Sequence, residues 1–191
     1  MVQHLWVFGY GSLVSPSSLG GTLGRDPRRG IDFLAAECAG WERRWNYGYP
    51  LDPARYTGTE VDRIDTVVAL GVVPVPGASM NGIIARVSAD ELARLDARER
   101  NYDRVDVTGS VTVLDEMAAS TEIGRIITYV PTEIPLTRYR EARDRDRAGI
   151  EIRYWNLVEG AFDALAPGHG DRYRASTPAP DVPVVDVSRI D

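Results

Sequence analysis

Two short stretches carry residue types that could do chemistry. The first is Phe8-Gly9-Tyr10-Gly11-Ser12-Leu13, an apolar run that ends in glycines and a serine. Glycine lets a backbone bend sharply and present consecutive N–H groups, a cradle for a carboxylate or a developing oxyanion. A dinucleotide fingerprint and a nucleophile elbow both require glycine where Val14 stands. A plain glycine-rich turn after an amino-terminal strand accounts for the stretch equally well. The second is Leu92-x-x-Leu95-Asp96-x-x-Glu99-x-x-Tyr102. Helical spacing puts Leu92, Leu95, Glu99 and Tyr102 on one stripe, and Glu91, Arg94, Arg98 and Asn101 on a polar one. Glu99 then points inward, where desolvation raises a carboxylate's pKa toward useful proton acceptance. The other reading is a structural ion pair with some arginine, such as Arg104 or Arg43. Periodicity leaves both open. An amide cradle and an inward glutamate together suffice for proton abstraction followed by attack on a carbonyl whose oxyanion is held.

Composition removes most other chemistries. All 22 basic residues are arginine, which excludes Schiff-base lysine chemistry and a P-loop lysine. The only histidines are His4, near the terminus, and His169 in Pro167-Gly168-His169-Gly170, a loop by composition. Both read as exposed or lightly packed, and a hydrolase built on Ser12 would need one of them. Cys38 is the sole cysteine, so an intrachain disulfide and a multi-cysteine metal site are excluded. No metal and no cofactor are expected. A net charge of −6 argues against nucleic acid and anionic lipid as partners. No apolar run approaches the ~20 residues of a membrane span, and the start of the sequence lacks a secretory pattern. A cytoplasmic protein, monomeric by default, is expected.

The elements that must position these residues are also legible. Leu5 to Tyr10 reads as a strand, and Ile31 to Tyr47 as a longer one with Trp41, Trp45 and Tyr47 on one face. Tyr49 to Thr66 is an excursion with little regular structure. Val67 to Val75 and Gly82 to Val87 read as a hairpin-like pair across Pro-Gly and Asn-Gly signals. Ser88 and Glu91 form a capping box for a helix over 88–102. Strands follow over Val105 to Leu114 and Ile123 to Val130, and Pro131 and Pro135 mark a turn. Thr137 to Ala148 is an arginine-rich helix face with pairs such as Glu141–Arg145, and Glu151 to Leu165 is a last amphipathic helix. The Pro-rich tail from Ala175 onward reads as an extended segment wrapping the surface. Strands and helices do not alternate regularly, which predicts an α+β fold with a mostly antiparallel sheet or small barrel flanked by helices. One domain over 1–177 with a tail over 178–191 is expected.

These residues resemble the γ-glutamylcyclotransferase-like family, with its ChaC and AIG2-like relatives. The matching pieces are Tyr10-Gly11-Ser12-Leu13 after the first strand, and Leu95-Asp96-x-x-Glu99 with Tyr102, Arg104 and Val105 after it. Lesser echoes are Gly40-Trp41-x-Arg43-Arg44, Thr128-Tyr129-Val130, and Tyr154 with Gly160-Ala161. The resemblance implies a small, largely antiparallel β-barrel and a γ-glutamyl amide as the small-molecule substrate. It implies intramolecular attack of the substrate's α-amine on its γ-carbonyl, releasing 5-oxoproline and a free amine, as in glutathione metabolism. Glu99 would be the general base and acid. The loop of Tyr10, Gly11, Ser12 and Leu13, with Tyr102 and Tyr154, would bind the γ-glutamyl part. A non-catalytic binding module of the same fold is the alternative. No family pattern covers Tyr49 to Thr66 or the tail, so the leaving amine stays open.

Overall fold

The computed structural model describes residues 5–115 and 122–190. Its centre is strand β1 (Leu5–Gly9), in which Trp6, Val7, Phe8 and Gly9 are all buried. A continuous apolar run of this kind suits a strand covered on both faces. β1 lies antiparallel to β4 (Thr66–Val87) and parallel to β7 (Arg125–Pro131). On one side β7 pairs with β5 (Tyr102–Asp106); on the other, β4 pairs with β2 (Phe33–Pro50) and β2 with β6 (Val111–Val113). A strand β8 (Ala148–Glu151) joins β4 in parallel and receives β9 (Val184–Val185). β3 (Tyr56–Thr57) and β10 (Ser188–Arg189) form a separate pair. Helices are α1 (Pro16–Leu23), α2 (Ala89–Arg98), α3 (Glu133–Arg143), α4 (Ile152–Leu165) and α5 (His169–Ser176). This is a mixed α+β fold in which, among the described residues, five of eight strand pairings are antiparallel. The pairing path starts at β5 and ends at β6 and does not close into a ring among the described residues. No helix among those residues is long and apolar enough to cross a membrane.

Several expected elements form differently. Val67 to Val87 is one strand, because its partner is β2 upstream, which it follows from Pro50↔Thr66 to Phe33↔Ala85. Pro76-Gly77 does not reverse the chain; the register slips there, opposite Gly40, and both glycines take left-handed φ values of +82° and +80°. Asn81-Gly82 is no turn either, since its backbone stays in the β4 register. Val105 to Leu114 divides into β5 and β6 around a 3-10 turn at Thr108–Ser110. Pro135 sits in the first turn of α3, where its missing N–H costs nothing. Arg145 lies beyond the end of α3, and its Nε donates to the Glu141 main-chain carbonyl at 3.1 Å instead of pairing with its carboxylate. Composition also hid α1 and β8.

His169 is not in a loop. It opens α5 and is 7% exposed, with Asn81 Nδ2 donating to its carbonyl at 2.9 Å. Burial lowers its pKa. His4 lies outside the described residues. The tail is extended, and it also buries Val185 and Val187 against Leu51, Tyr56, Ile64 and Val67, so tail and excursion together build a second small core.

Candidate active site

The Gly-rich stretch leaves β1 and turns at once into a 3-10 segment, Ser12–Val14, which is followed by α1. The turn is closed by Val14 N–H on the Gly11 carbonyl (3.0 Å) and Ser15 N–H on the Ser12 carbonyl (3.1 Å). The amides of Gly11, Ser12 and Leu13 donate to no other group among the described residues. A Cβ on Gly11 would stand 3.2 Å from the Tyr154 hydroxyl, so glycine here lets the backbone close on that side chain. Tyr10 anchors the entry to the turn, its buried hydroxyl donating to the Tyr129 carbonyl on β7 at 2.7 Å.

Helix α2 starts as the sequence predicts. Ser88 Oγ accepts from Glu91 N–H at 3.2 Å, and the Glu91 carboxylate accepts from Ser88 N–H at 2.8 Å. Leu95 is fully buried. The helix stops at Arg98, earlier than expected, with Glu99 as its carboxyl-terminal cap. Asn101, at φ +65°, then reverses the chain into β5, so Tyr102 arrives by a turn and not on the helical stripe. Neither Arg104 nor Arg43 pairs with Glu99. Arg104 binds Asp96. Arg43 is fully buried against the stacked Phe162 and Tyr173 rings, 4.7 and 5.0 Å from their centroids, and donates to Asn81 and Thr177. The partner of Glu99 is Arg98, whose Nε lies 3.1 Å from Oε1. Arg98 stays on the polar, partly exposed face where the sequence placed it, and there it also reaches Ser18 and Thr22 of α1.

One cavity of about 40 Å³ is lined by Phe8 to Leu13, Leu70, Glu99, Tyr102, Tyr129 and Tyr154. It brings together all seven residues singled out from the sequence. Phe8, Gly9, Leu70 and Tyr129 were not among them. Tyr129 was visible only as a minor echo, and Leu70 carried no signal because its contribution is main-chain. The Leu70 N–H donates to the Tyr154 hydroxyl and the Leu70 carbonyl accepts from the Tyr102 hydroxyl, both at 3.4 Å. Trp45 backs Tyr154 edge-on at 6.0 Å, and Tyr47 stacks on Tyr102 at 4.4 Å. Larger hollows, of about 480 and 390 Å³, lie along the tail around Pro178 and share none of these residues.

Burial dominates the electrostatics. It raises the Glu99 pKa above the ordinary carboxylate value, with the Arg98 guanidinium opposing it. Tyr10 and Tyr102 are pushed well up by desolvation, and Tyr154 to about 12, so all three are neutral hydroxyls at physiological pH. The site is therefore one desolvated carboxylate among neutral tyrosine hydroxyls, lining the same cavity as the Gly11–Leu13 loop. Such a carboxylate can accept a proton, and the amides can hold an oxyanion.

Neither the protein-family models nor the curated proteins include a match to this sequence. Solved structures do match. A γ-glutamyl cyclotransferase superposes over 93% of this chain and 90% of its own, with TM-score 0.58 and 14% identity. The chain has the γ-glutamyl cyclotransferase fold. A yeast γ-glutamyl cyclotransferase specific to glutathione shares the fold over 92% of this chain and 97% of its own, with TM-score 0.57 and 14% identity. So does an uncharacterised protein from Homo sapiens, with TM-score 0.58, 15% identity, and coverage of 93% and 90%.

Proposed function

We propose that the chain is a cyclotransferase that cleaves a γ-glutamyl amide and releases 5-oxoproline and an amine. The observation that carries this reading is the desolvated Glu99 carboxylate lining one cavity with the unpaired amides of Gly11 to Leu13. Glu99 removes a proton from the substrate's α-ammonium, whose reference pKa is ~8. A base with a raised pKa narrows the gap that this transfer must cross. The α-nitrogen lone pair then attacks the γ-carbonyl carbon, and the oxygen becomes an oxyanion that the loop amides hold. As the intermediate collapses, the bond to the leaving nitrogen breaks and Glu99 gives its proton to that nitrogen; the freed carboxylate then takes the second proton from the attacking nitrogen and passes it on, so the lactam nitrogen ends neutral and the amine leaves as an ammonium. Nucleophile and electrophile belong to one molecule, so positioning supplies much of the rate. The neutral hydroxyls of Tyr10, Tyr102 and Tyr154 orient the γ-glutamyl part. Ser12 is a loop residue and not a nucleophile, and His169 does not line the cavity.

The small cavity favours one second reading, a closed binding module without turnover, since ligand pockets usually measure about 300–1,000 Å³. Incubation with glutathione, γ-glutamyl dipeptides and γ-glutamylamines separates the two. Release of 5-oxoproline from any of them, reduced about 10²–10⁴-fold in Glu99→Gln, supports the enzyme. Binding without release supports the module.

A further inference from the structure

Arg98 reaches three segments at once. Its Nε faces Glu99 Oε1 at 3.1 Å, and its Nη2 donates to Ser12 Oγ at 2.8 Å and Ser18 Oγ at 3.2 Å. Its Nη1 donates to the Ser18 carbonyl at 3.3 Å and to Thr22 Oγ1. The planar fork thus links the cap of α2, the amide loop and α1, and only 30% of the side chain is exposed. A lysine could not span this set with one ammonium. We propose that Arg98 is a positioning residue, which fixes the Glu99 carboxylate relative to the Ser12 loop and keeps it ionised for proton transfer. The proposal rests on the cyclotransferase reading of the same cavity.

Among the described residues no other charge competes for this role. The titratable groups facing Glu99 from the neighbouring elements are Tyr10, Tyr47, Tyr102, Tyr129 and Tyr154, all held neutral by burial. Asp96, one turn back on α2, is occupied by Arg104 and by the Tyr129 hydroxyl. Among the described residues Arg98 is the one cation acting on the carboxylate, and it works against desolvation. Removing it leaves a buried carboxylate that binds its proton more tightly, so the active ionised form requires a higher pH.

The test has two arms. In protein labelled with ¹³C at glutamate carboxyls, the Glu99 resonance is identified by its loss in Glu99→Gln and titrated. Arg98→Gln moves its midpoint to higher pH, whereas Arg98→Lys, which keeps the charge, leaves it near the native value. The acidic limb of kcat/KM for 5-oxoproline release moves the same way, and the deficit of Arg98→Gln shrinks as pH rises. Ser12→Ala, which cuts the other end of the fork, lowers kcat/KM equally across the pH range and leaves the limb in place. An unmoved Glu99 midpoint in Arg98→Gln overturns the proposal. A moved midpoint in a protein that releases no 5-oxoproline supports the proposed Arg98–Glu99 coupling and refutes the cyclotransferase reading, so the two failures are distinct.

Discussion

A methyl group added at Gly82 would stand 2.3 Å from the Gly9 carbonyl oxygen and 2.8 Å from the Phe8 ring. Gly82 has no left-handed φ, so alanine meets no backbone strain there and the effect is one of space. Contacts of this kind open to at least 3.0 Å, so the Gly9 carbonyl must retreat by 0.7 Å, from 2.3 Å to 3.0 Å. That carbonyl is the last of β1 before the amide loop, so the loop moves with it. Misplacement by ~1 Å can cost 10²-fold in rate, which sets the expected loss of kcat/KM for Gly82→Ala at about 10- to 100-fold. Overpacking a buried site costs about 1–3 kcal/mol. For a chain of this size that lowers the thermal midpoint by about 2–12 °C. Gly21→Ala, in α1 with nothing within 4 Å of the added carbon, is the control. It should gain up to ~1 kcal/mol from helix propensity and keep full activity. Kinetics of 5-oxoproline release and thermal melts of both variants decide the matter. A Gly82→Ala protein with unaltered kcat/KM and melting would refute the claim that β4 sets the position of the loop.

Glu99→Gln should be more stable than the native chain at neutral pH. Because the folded-state pKa of Glu99 is raised, the folded protein binds more protons than the unfolded one between the two values, so stability falls as pH rises through that window. The difference in melting temperature between native and Glu99→Gln should therefore widen with rising pH and vanish below the unfolded value; a constant difference contradicts this. His169 acts in the opposite sense, its folded pKa lying below the reference 6.5, so stability is lost as pH falls through that range. In His169→Gln that acid-side decline, followed by melting at a series of pH values, should be smaller. Val187→Ala, in the core shared by tail and excursion, should cost about 1–3 kcal/mol in denaturant unfolding. No loss there would mean the tail packs differently.

Local signals were readable from the residues, and the distant ones were not. Ser88 and Glu91 announced the start of α2 because a capping box is a contact within four residues. Its end was misplaced because Asn101 in a left-handed conformation leaves no mark on apolar periodicity. Tyr10 to Leu13, Tyr102 and Tyr154 could be singled out by type and resemblance. Leu70 could not, since it contributes main-chain atoms supplied by the pairing of β4 with β2 across the whole strand. Pro76-Gly77 and Asn81-Gly82 carried strong turn signals, yet long-range pairing overrode both. Arg98 was placed on the polar face, where it stays partly exposed, but its links to Ser18 and Thr22 could not be read because α1 was not foreseen. Charges were the hardest to place, since the partner of an inward carboxylate depends on tertiary packing rather than on spacing.

Turnover of a γ-glutamyl amide in water enriched with ¹⁸O tests the central claim most directly, because it reports which nucleophile reaches the γ-carbonyl. Intramolecular attack by the α-amine yields 5-oxoproline with no ¹⁸O above the uncatalysed background, at a rate that collapses in Glu99→Gln. Glutamate carrying ¹⁸O in its γ-carboxylate would contradict it, since water would then be the nucleophile and the chain a hydrolase.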